Sequence, residues 1–405
     1  MRKSVSGILL TVFTACLLCG CGGANNGGES NLNKITSIPD FIVQIPEGRD
    51  PVVLQLTDTQ IIDGAQSRPD KSSGDKITYA TEYIGKYCYD YVTEVVTRTK
   101  PDFIILTGDL IYGCYDDNGS AFKAFVDFMD GFEIPWSPVF GNHEGESEMG
   151  VDWQCEQLVN AKYCLFEQKE LTGNGNYSVG LLQGKKLKRV FYMLDSNGCS
   201  DASVQTLSNG HTTKTVGFGN DQIEWYTDQI AELKALSPDT KISFAFHIQM
   251  AVFGTALERY GFRQDVKNHD IYLEYYRVPK PGDFGYVGRQ MKTPWDPTDI
   301  LFDKMKEMGT DSVFVGHEHC NSASVVYNGV RLQYGQKSSE YDRHNGLTEE
   351  NQIVERKIWD NPETMPMVGG SVVVFAEKDG KIKDAYIYYC ENAGGQVDWA
   401  GVRGK

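Results

Sequence analysis

Short apolar runs recur along this chain, and five of them close on the same kind of polar cluster. Val52 to Leu56 leads into Thr57-Asp58, and Phe103 to Thr107 into Gly108-Asp109. Ser137 to Phe140 leads into Gly141-Asn142-His143-Glu144. Ile242 to Phe246 ends at His247, and Ser312 to Val315 at Gly316-His317-Glu318-His319. Short runs rich in β-branched and aromatic residues read as buried strands. Between them the apolar spacing turns helical. Thr78 to Thr99 aligns Tyr83, Tyr87, Tyr91 and Val95, Ala121 to Met129 reads as a second helix, and Asp221 to Leu236 aligns Ile223, Tyr226, Ile230 and Leu233. This βαβαβ rhythm, opening with Pro51 to Asp58 as its first core strand, predicts a parallel sheet with covering helices.

Further along, Arg189 to Leu194 is another strand, followed by a loop rich in Ser, Asn and Gly through Asn220. Lys241 to Phe246 and Asp311 to Val315 return as core strands. Ser324 to Tyr334 holds a hairpin turn at Asn328-Gly329, and Ser371 to Ala376 and Ile382 to Tyr389 flank the turn Lys378-Asp379-Gly380. These antiparallel strands predict a second sheet packed on the first. Two stretches read as insertions above the strand ends, Gly145 to Gly184 and Ala251 to Pro297. The second is rich in aromatics, among them Tyr260, Phe262, Phe284, Tyr286 and Trp295, which either pack on one another or wall a substrate site. Lys185 to Arg189 reads as a solvated hairpin tip rather than an anion site.

At 405 residues the chain has room for one large domain or two small ones, and five clusters that must converge favour one, residues 51–390, with a tail at 391–405. The formal net charge of −16 argues against tracking a nucleic-acid backbone, which needs a basic stripe. It does not exclude phosphate substrates, because bound cations reverse the field inside a site. Arg2 and Lys3 precede an apolar stretch, Ile8 to Leu18, too short to span a bilayer as a helix. It ends in Leu18-Cys19-Gly20-Cys21, which resembles a bacterial lipobox. That resemblance implies a signal peptide over residues 1–20, a lipid on Cys21, and an exported protein anchored to the cell envelope, with 21–50 as tether and lead-in. Of ten cysteines, seven lie beyond this region. At least one of these seven stays unpaired within the chain, and Cys155 and Cys164 are spaced to close a short loop.

Only seven histidines are present, and four of them fall in the strand-end clusters. In open α/β sheets that end of the strands is where ligands sit. Imidazoles with hard oxygen donors suit Zn, Fe or Mn. A carboxylate at a strand end can bridge two ions, and two ions about 3.5–4 Å apart can clamp the attacking and leaving oxygens of a phosphoryl transfer. Asp109, emerging from a wholly apolar run, is the natural bridge.

In their order, Asp58, Gly108-Asp109, Gly141-Asn142-His143-Glu144, His247 and Gly316-His317-Glu318-His319 resemble the motifs of the calcineurin-like metallophosphoesterases. The resemblance covers about two thirds of the chain. It implies a four-layer αββα sandwich, an α/β fold of two mixed sheets flanked by helices. It further implies two metal ions, with Asp58, Asp109 and His319 on one and Asp109, Asn142, His247 and His317 on the other. His143 would contact the phosphate and protonate the leaving oxygen, and a metal-bound hydroxide would attack phosphorus. Gln60 stands where many members carry a metal-binding His. Yet Gly108-Asp109-Leu110-Ile111-Tyr112 matches the G-D-x-x-Y of the purple acid phosphatases, whose Tyr binds the ferric ion, which makes Tyr112 a candidate ligand. Glu144 and Glu318 read as supporting or solvent residues, and Gln222-x-x-Trp225 as scaffold. Outside the motifs, Arg343-His344 is a candidate substrate contact, since guanidinium suits phosphate oxygens. The expected activity is metal-dependent hydrolysis of phosphate esters. The alternatives are a diesterase instead of a monoesterase, or a surface lipoprotein that binds a ligand with reduced catalysis.

Overall fold

Two β-sheets lie face to face, and each supplies strand ends to one common site. The computed structural model describes residues 26–62, 86–113, 118–198, 205–206, 212–213, 217–262, 276–278, 282–287, 295–319, 321–339 and 368–390. Its strands are β1 (Phe41–Ile45), β2 (Val52–Leu56), β3 (Phe103–Thr107), β4 (Trp136–Val139), β5 (Tyr177–Gln183) and β6 (Lys186–Met193). The two-residue β7 (Gln205–Thr206) and β8 (Thr212–Thr213) follow, then β9 (Lys241–Ala245), β10 (Tyr276–Arg277) and β11 (Tyr286–Val287). The last are β12 (Thr310–Val315), β13 (Ser324–Tyr327), β14 (Val330–Tyr334), β15 (Gly369–Phe375) and β16 (Ile382–Tyr389). One sheet runs β16-β15-β2-β3-β4 and the other β1-β5-β6-β9-β12-β14-β13. Both mix parallel and antiparallel pairs: β2, β3 and β4 are mutually parallel, as are β6, β9 and β12, whereas β15 runs antiparallel to β2.

Aromatic rings fill the space between the sheets, with Phe191 against Phe103, Phe314 and Phe375. Helices cover the outer faces, giving four αββα layers. On the five-stranded side are α2 (Lys86–Thr99), α3 (Ser120–Asp130) and α4 (Gly150–Asn160), in one core with Leu54 and Phe103. Helix α3 shows why: Ala121, Phe122, Phe125, Val126 and Met129 form a single buried stripe. On the other side lie α1 (Asn26–Thr36), α5 (Asn220–Leu236), α6 (Ala251–Glu258) and α7 (Ile300–Glu307). In α5 the buried face is Gln222, Tyr226, Ile230 and Leu233, with Ile223 at its margin. Gln222 acts as scaffold there. Its Oε1 accepts from Gly219 N at 2.7 Å, and its Nε2 donates to Asn176 Oδ1 at 2.7 Å.

Several sequence expectations need correction. The tether and lead-in over 21–50 contains α1 and β1. Apolar Leu32, Ile35 and Ile38 pack into the core beside α5 and override the poor helix propensity of the Gly/Asn-rich stretch. The stretch Gly145 to Gly184 is not all insertion. Its end is β5, buried at all seven positions and paired with both β1 and β6. The C-terminal hairpins do not build a sheet of their own: β13–β14 joins β12, and β15–β16 joins β2. Ala251 to Leu257 belongs to the core, and Trp295 packs on Phe218 and Phe246, so these parts of the second insertion pack inward. At the β5–β6 turn Lys185 and Lys186 are exposed, but Arg189 is fully buried. Cys155 and Cys164 are free buried thiols, so they do not close a loop. Cys21, Arg343 and His344 lie outside the described residues.

Candidate metal centre

The two sheets run their parallel strands toward the same end, which brings five loops together. Asp58 follows β2, Asp109 follows β3, Asn142 and His143 follow β4, His247 follows β9, and His317 and His319 follow β12. Three of these loops turn sharply. Asp58, Gln60, Asp109 and His317 all hold left-handed backbone, with φ of 52°, 44°, 52° and 71°. Non-glycine residues rarely adopt that region, and clusters of them mark functional sites. The loops are stitched to one another by backbone: Asp58 N donates to Gly108 O at 3.1 Å, Gln60 N to Asp109 O at 3.0 Å, and Gly316 N to His247 O at 3.0 Å. Two glycines are sterically required. A Cβ on Gly108, itself at φ 90°, would lie 2.5 Å from the His247 ring, and one on Gly141 would lie 2.1 Å from Asp109 Oδ1.

The donor atoms converge. His247 Nε2 lies 3.2 Å from Asp109 Oδ2 and 3.2 Å from Asn142 Oδ1. His317 Nδ1 is 2.9 Å from the same Asn142 Oδ1, and His319 Nε2 is 3.2 Å from Asp58 Oδ1. Ligand atoms held about 2.1 Å from one ion at right angles stand about 3 Å apart, so these spacings fit the edges of a coordination shell. Asp58, Asp109 and His319 form one such group, with ligand atoms all within 4.8 Å of one another. The supporting contacts point the same way. His247 Nδ1 donates to Thr107 O at 2.7 Å, which fixes the ring with Nε2 facing the cluster. Thr57 Oγ1 donates to Asp58 Oδ2 at 2.6 Å, and His143 N donates to Asp109 Oδ1 at 3.0 Å. Burial alone would raise the Asp109 carboxyl, but the charges of His247 and His143 overcome it and hold it well below the usual carboxylate range. Burial, reinforced by the neighbouring His247, pushes His317 down to about 3, which keeps it neutral. Ionised Asp109 and neutral His317 are the forms that bind cations, whereas His247, lowered by burial but raised to about 9 by the Asp109 charge, would release its Nε2 proton to an incoming ion.

Around this cluster lie residues the sequence left ambiguous. Gln60 Nε2 sits 3.1 Å from His319 Nε2 and 3.4 Å from Asp109 Oδ2, inside the Asp58–Asp109–His319 group. Its Oε1 is buried without a hydrogen-bond partner among the described residues. Tyr112 is buried, with its ring 4.6 Å from the His143 ring, edge to face. His143 Nε2 is 3.8 Å from Asp109 Oδ2, and its Nδ1 is 2.7 Å from Glu146 Oε2. Glu146 was not singled out from sequence, although its position three residues after His143 in the Glu144–Glu146 turn could have marked it. Glu144 is fully buried and accepts from Leu110 N and Gly141 N, both at 2.6 Å. Glu318 accepts from Gln249 Nε2 at 3.1 Å.

Residues 51–321, which hold every one of these motifs, match the calcineurin-like phosphoesterase family. An uncharacterized protein of Schizosaccharomyces pombe is 30% identical over 178 residues, 44% of this chain and 31% of that protein. An Arabidopsis thaliana protein named probable inactive purple acid phosphatase 14 is 25% identical over 281 residues, 61% of this chain and 62% of its own. The Saccharomyces cerevisiae phosphatase DCR2 is 24% identical over 263 residues, 60% of this chain and 41% of its own. The chain thus spans between 31% and 62% of the length of these relatives. Among solved structures, a dimetal phosphatase from Danio rerio aligns with a TM-score of 0.42 and 11% identity over 72% of this chain and 88% of that one.

Proposed function

This chain belongs to the calcineurin-like phosphoesterase family, and on that premise we propose that it is a metal-dependent hydrolase of phosphate esters with a dinuclear site. The observation that carries the reading is the convergence of six donor residues from five strand ends around Asp109. Asp58, Asp109 and His319 would hold one ion, and Asp109, Asn142, His247 and His317 the other. Two cations there would supply positive charge for phosphate oxygens and lower the pKa of water near them. The remaining work falls to the chain itself. Asp109, as the shared carboxylate, fixes the spacing of the two halves. His143 has its Nδ1 engaged by Glu146, which leaves Nε2 to give a proton to the departing ester oxygen as the P–O bond breaks.

The position Gln60 occupies favours its amide as a further donor to the first ion, with Tyr112 as the other candidate. The names of two Arabidopsis relatives include the words probable inactive, and they motivate a second reading, a ligand-binding protein with reduced catalysis. Retention of His143 and of all six donors argues for the hydrolase. We further propose export and a lipid on Cys21, and Arg343 and His344 as phosphate contacts.

Turnover of p-nitrophenyl phosphate and its bis-ester, with Mn, Zn or Fe supplied, tests the reading and separates monoesterase from diesterase. Asp109→Asn and His317→Ala are expected to lose metal and turnover together. In His143→Ala metal should stay while turnover falls roughly 10²–10⁴-fold. A wild type that binds metal yet turns over neither ester would establish the ligand-binding reading instead.

A further inference from the structure

At the end of the seven-stranded sheet remote from the metal centre lies a groove of about 620 Å³ lined by Lys185, Lys186, Lys188, Lys241, Lys378 and Lys381. Among its lining residues the acidic ones are Asp239 and Asp379, the latter 3.7 Å from Lys381 Nζ. The whole chain carries −16, so a basic concavity runs against its composition. It is also a constructed feature. Three separate turns form it, and buried hydrogen bonds hold them in register. Thr240 Oγ1 donates to Leu187 O at 2.9 Å, Arg189 Nη2 to Gly380 O at 2.7 Å, and Lys234 Nζ to Thr240 O at 2.6 Å. Lys188 Nζ donates to Glu377 O, tying the β5–β6 turn to the β15–β16 turn. The lysines therefore stand on a fixed frame. Lys185, Lys186, Lys378 and Lys381 are exposed.

We propose that this groove seats the domain on an anionic lipid surface, with the metal centre facing away from it. Helix α1 gives the reason for choosing a bilayer. Its Ile35 lines the groove, and α1 packs on β6 and α5. Cys21 lies five residues before α1 begins, so a lipid there is within roughly 30 Å of Ile35, whichever way the intervening residues run. The choice of a bilayer thus rests on lipidation at Cys21. A tethered chain of net charge −16 is repelled overall by an anionic membrane, and this groove offers the membrane a basic face, which sets its orientation. Strands β6 and β9 both start at the groove and end at the site, and Lys241 to His247 spans roughly 20 Å of extended chain. The site then opens toward soluble esters, away from the bilayer.

Co-sedimentation with vesicles tests this, using full-length Cys21→Ser so that no lipid anchor contributes. Binding should be seen with phosphatidylglycerol–phosphatidylcholine vesicles, be much weaker with phosphatidylcholine alone, and be lost between about 0.1 M and 1 M salt. The triple variant Lys185→Glu/Lys186→Glu/Lys378→Glu should reduce it roughly tenfold or more. Arg2 and Lys3 are common to both proteins, so the difference belongs to the groove. Circular dichroism and thermal melting control for folding, and the matching Lys→Gln set provides a milder variant. Neither readout depends on hydrolysis, so a failed phosphoesterase assay leaves this test intact. Equal binding to both vesicle types, or binding unaffected by the substitutions, would overturn the proposal. So would protection of these lysines from acetylation by inorganic polyphosphate but not by anionic vesicles, which would assign the groove to a soluble polyanion.

Discussion

In the proposed site, Gln60 would decide the character of the first metal position. Its side chain lies within hydrogen-bond distance of both His319 and Asp109, and its backbone is held at φ 44° by the bond from its N–H to Asp109 O. The amide's oxygen and nitrogen are interchangeable by a rotation of χ3. That rotation exchanges the partnerless Oε1 with the nitrogen that faces His319. An amide oxygen is a neutral donor, weaker than the imidazole that many relatives are expected to carry here. Gln60→Ala is therefore expected to lower affinity for one of the two metals roughly 10–100-fold, on the scale of lost supporting ligands, while sparing the other. Tyr112 supplies the discriminating measurement. A tyrosinate on Fe(III) absorbs in the visible, and an amide does not. With Gln60 as donor, iron-loaded protein should lack that band and Tyr112→Phe should change neither colour nor metal content. A visible band that Tyr112→Phe bleaches would transfer the position to the tyrosine.

Between elements, Glu144 joins the loop after β3 to the loop after β4. One carboxylate oxygen takes the N–H of Leu110 and the other that of Gly141, so the chain neighbours of Asp109 and of Asn142 share one staple. Gln154 Nε2, from α4, donates to Glu144 O at 2.7 Å and ties the staple to the helix layer. Glu144→Ala would leave two buried N–H groups without their acceptor, about 1–3 kcal/mol each. Glu144→Gln keeps the shape but turns a donor toward one of them. We expect Glu144→Gln to fold, and to bind metal roughly 10–100-fold more weakly by titration. Unchanged affinity would show that the β3 and β4 loops hold their geometry without it. This staple also shows where sequence reading stops. The donors were legible because each sits at the end of an apolar run, a local pattern. Glu144 as a staple, Glu146 on His143 and Gln60 against His319 are contacts between loops or across a turn, which spacing does not encode. The same holds for β5. Ser178, Gly180 and Gln183 break up its apolar run, and only its pairing with both β1 and β6 makes it a central strand. Helix α1 was hidden for the opposite reason, since its Gly/Asn-rich start reads as linker until Leu32 and Ile35 find the core.

At the scale of the whole molecule, the fold is polarised along its strands. Both sheets send parallel strands toward the metal centre, and the other end of the seven-stranded sheet carries the lysine groove. No helix among the described residues is long and apolar enough to cross a membrane. Peripheral attachment by charge alone is screened by salt, and a single acyl chain alone binds only marginally. A lipidated Cys21 and the groove together would provide the two signals that stable anchoring takes. This arrangement depends first on the lipid. In a bacterial host given radioactive palmitate, the wild type should be labelled and recovered with membranes, and Cys21→Ser should be unlabelled. Because the groove remains in Cys21→Ser, that variant should still associate with membranes at low ionic strength and be released by high salt, whereas the wild type should stay bound through the same wash. If the wild type is unlabelled and leaves the membrane in high salt as readily as Cys21→Ser, the N-terminal stretch is an ordinary export signal and the polarity of the fold must serve something other than a bilayer.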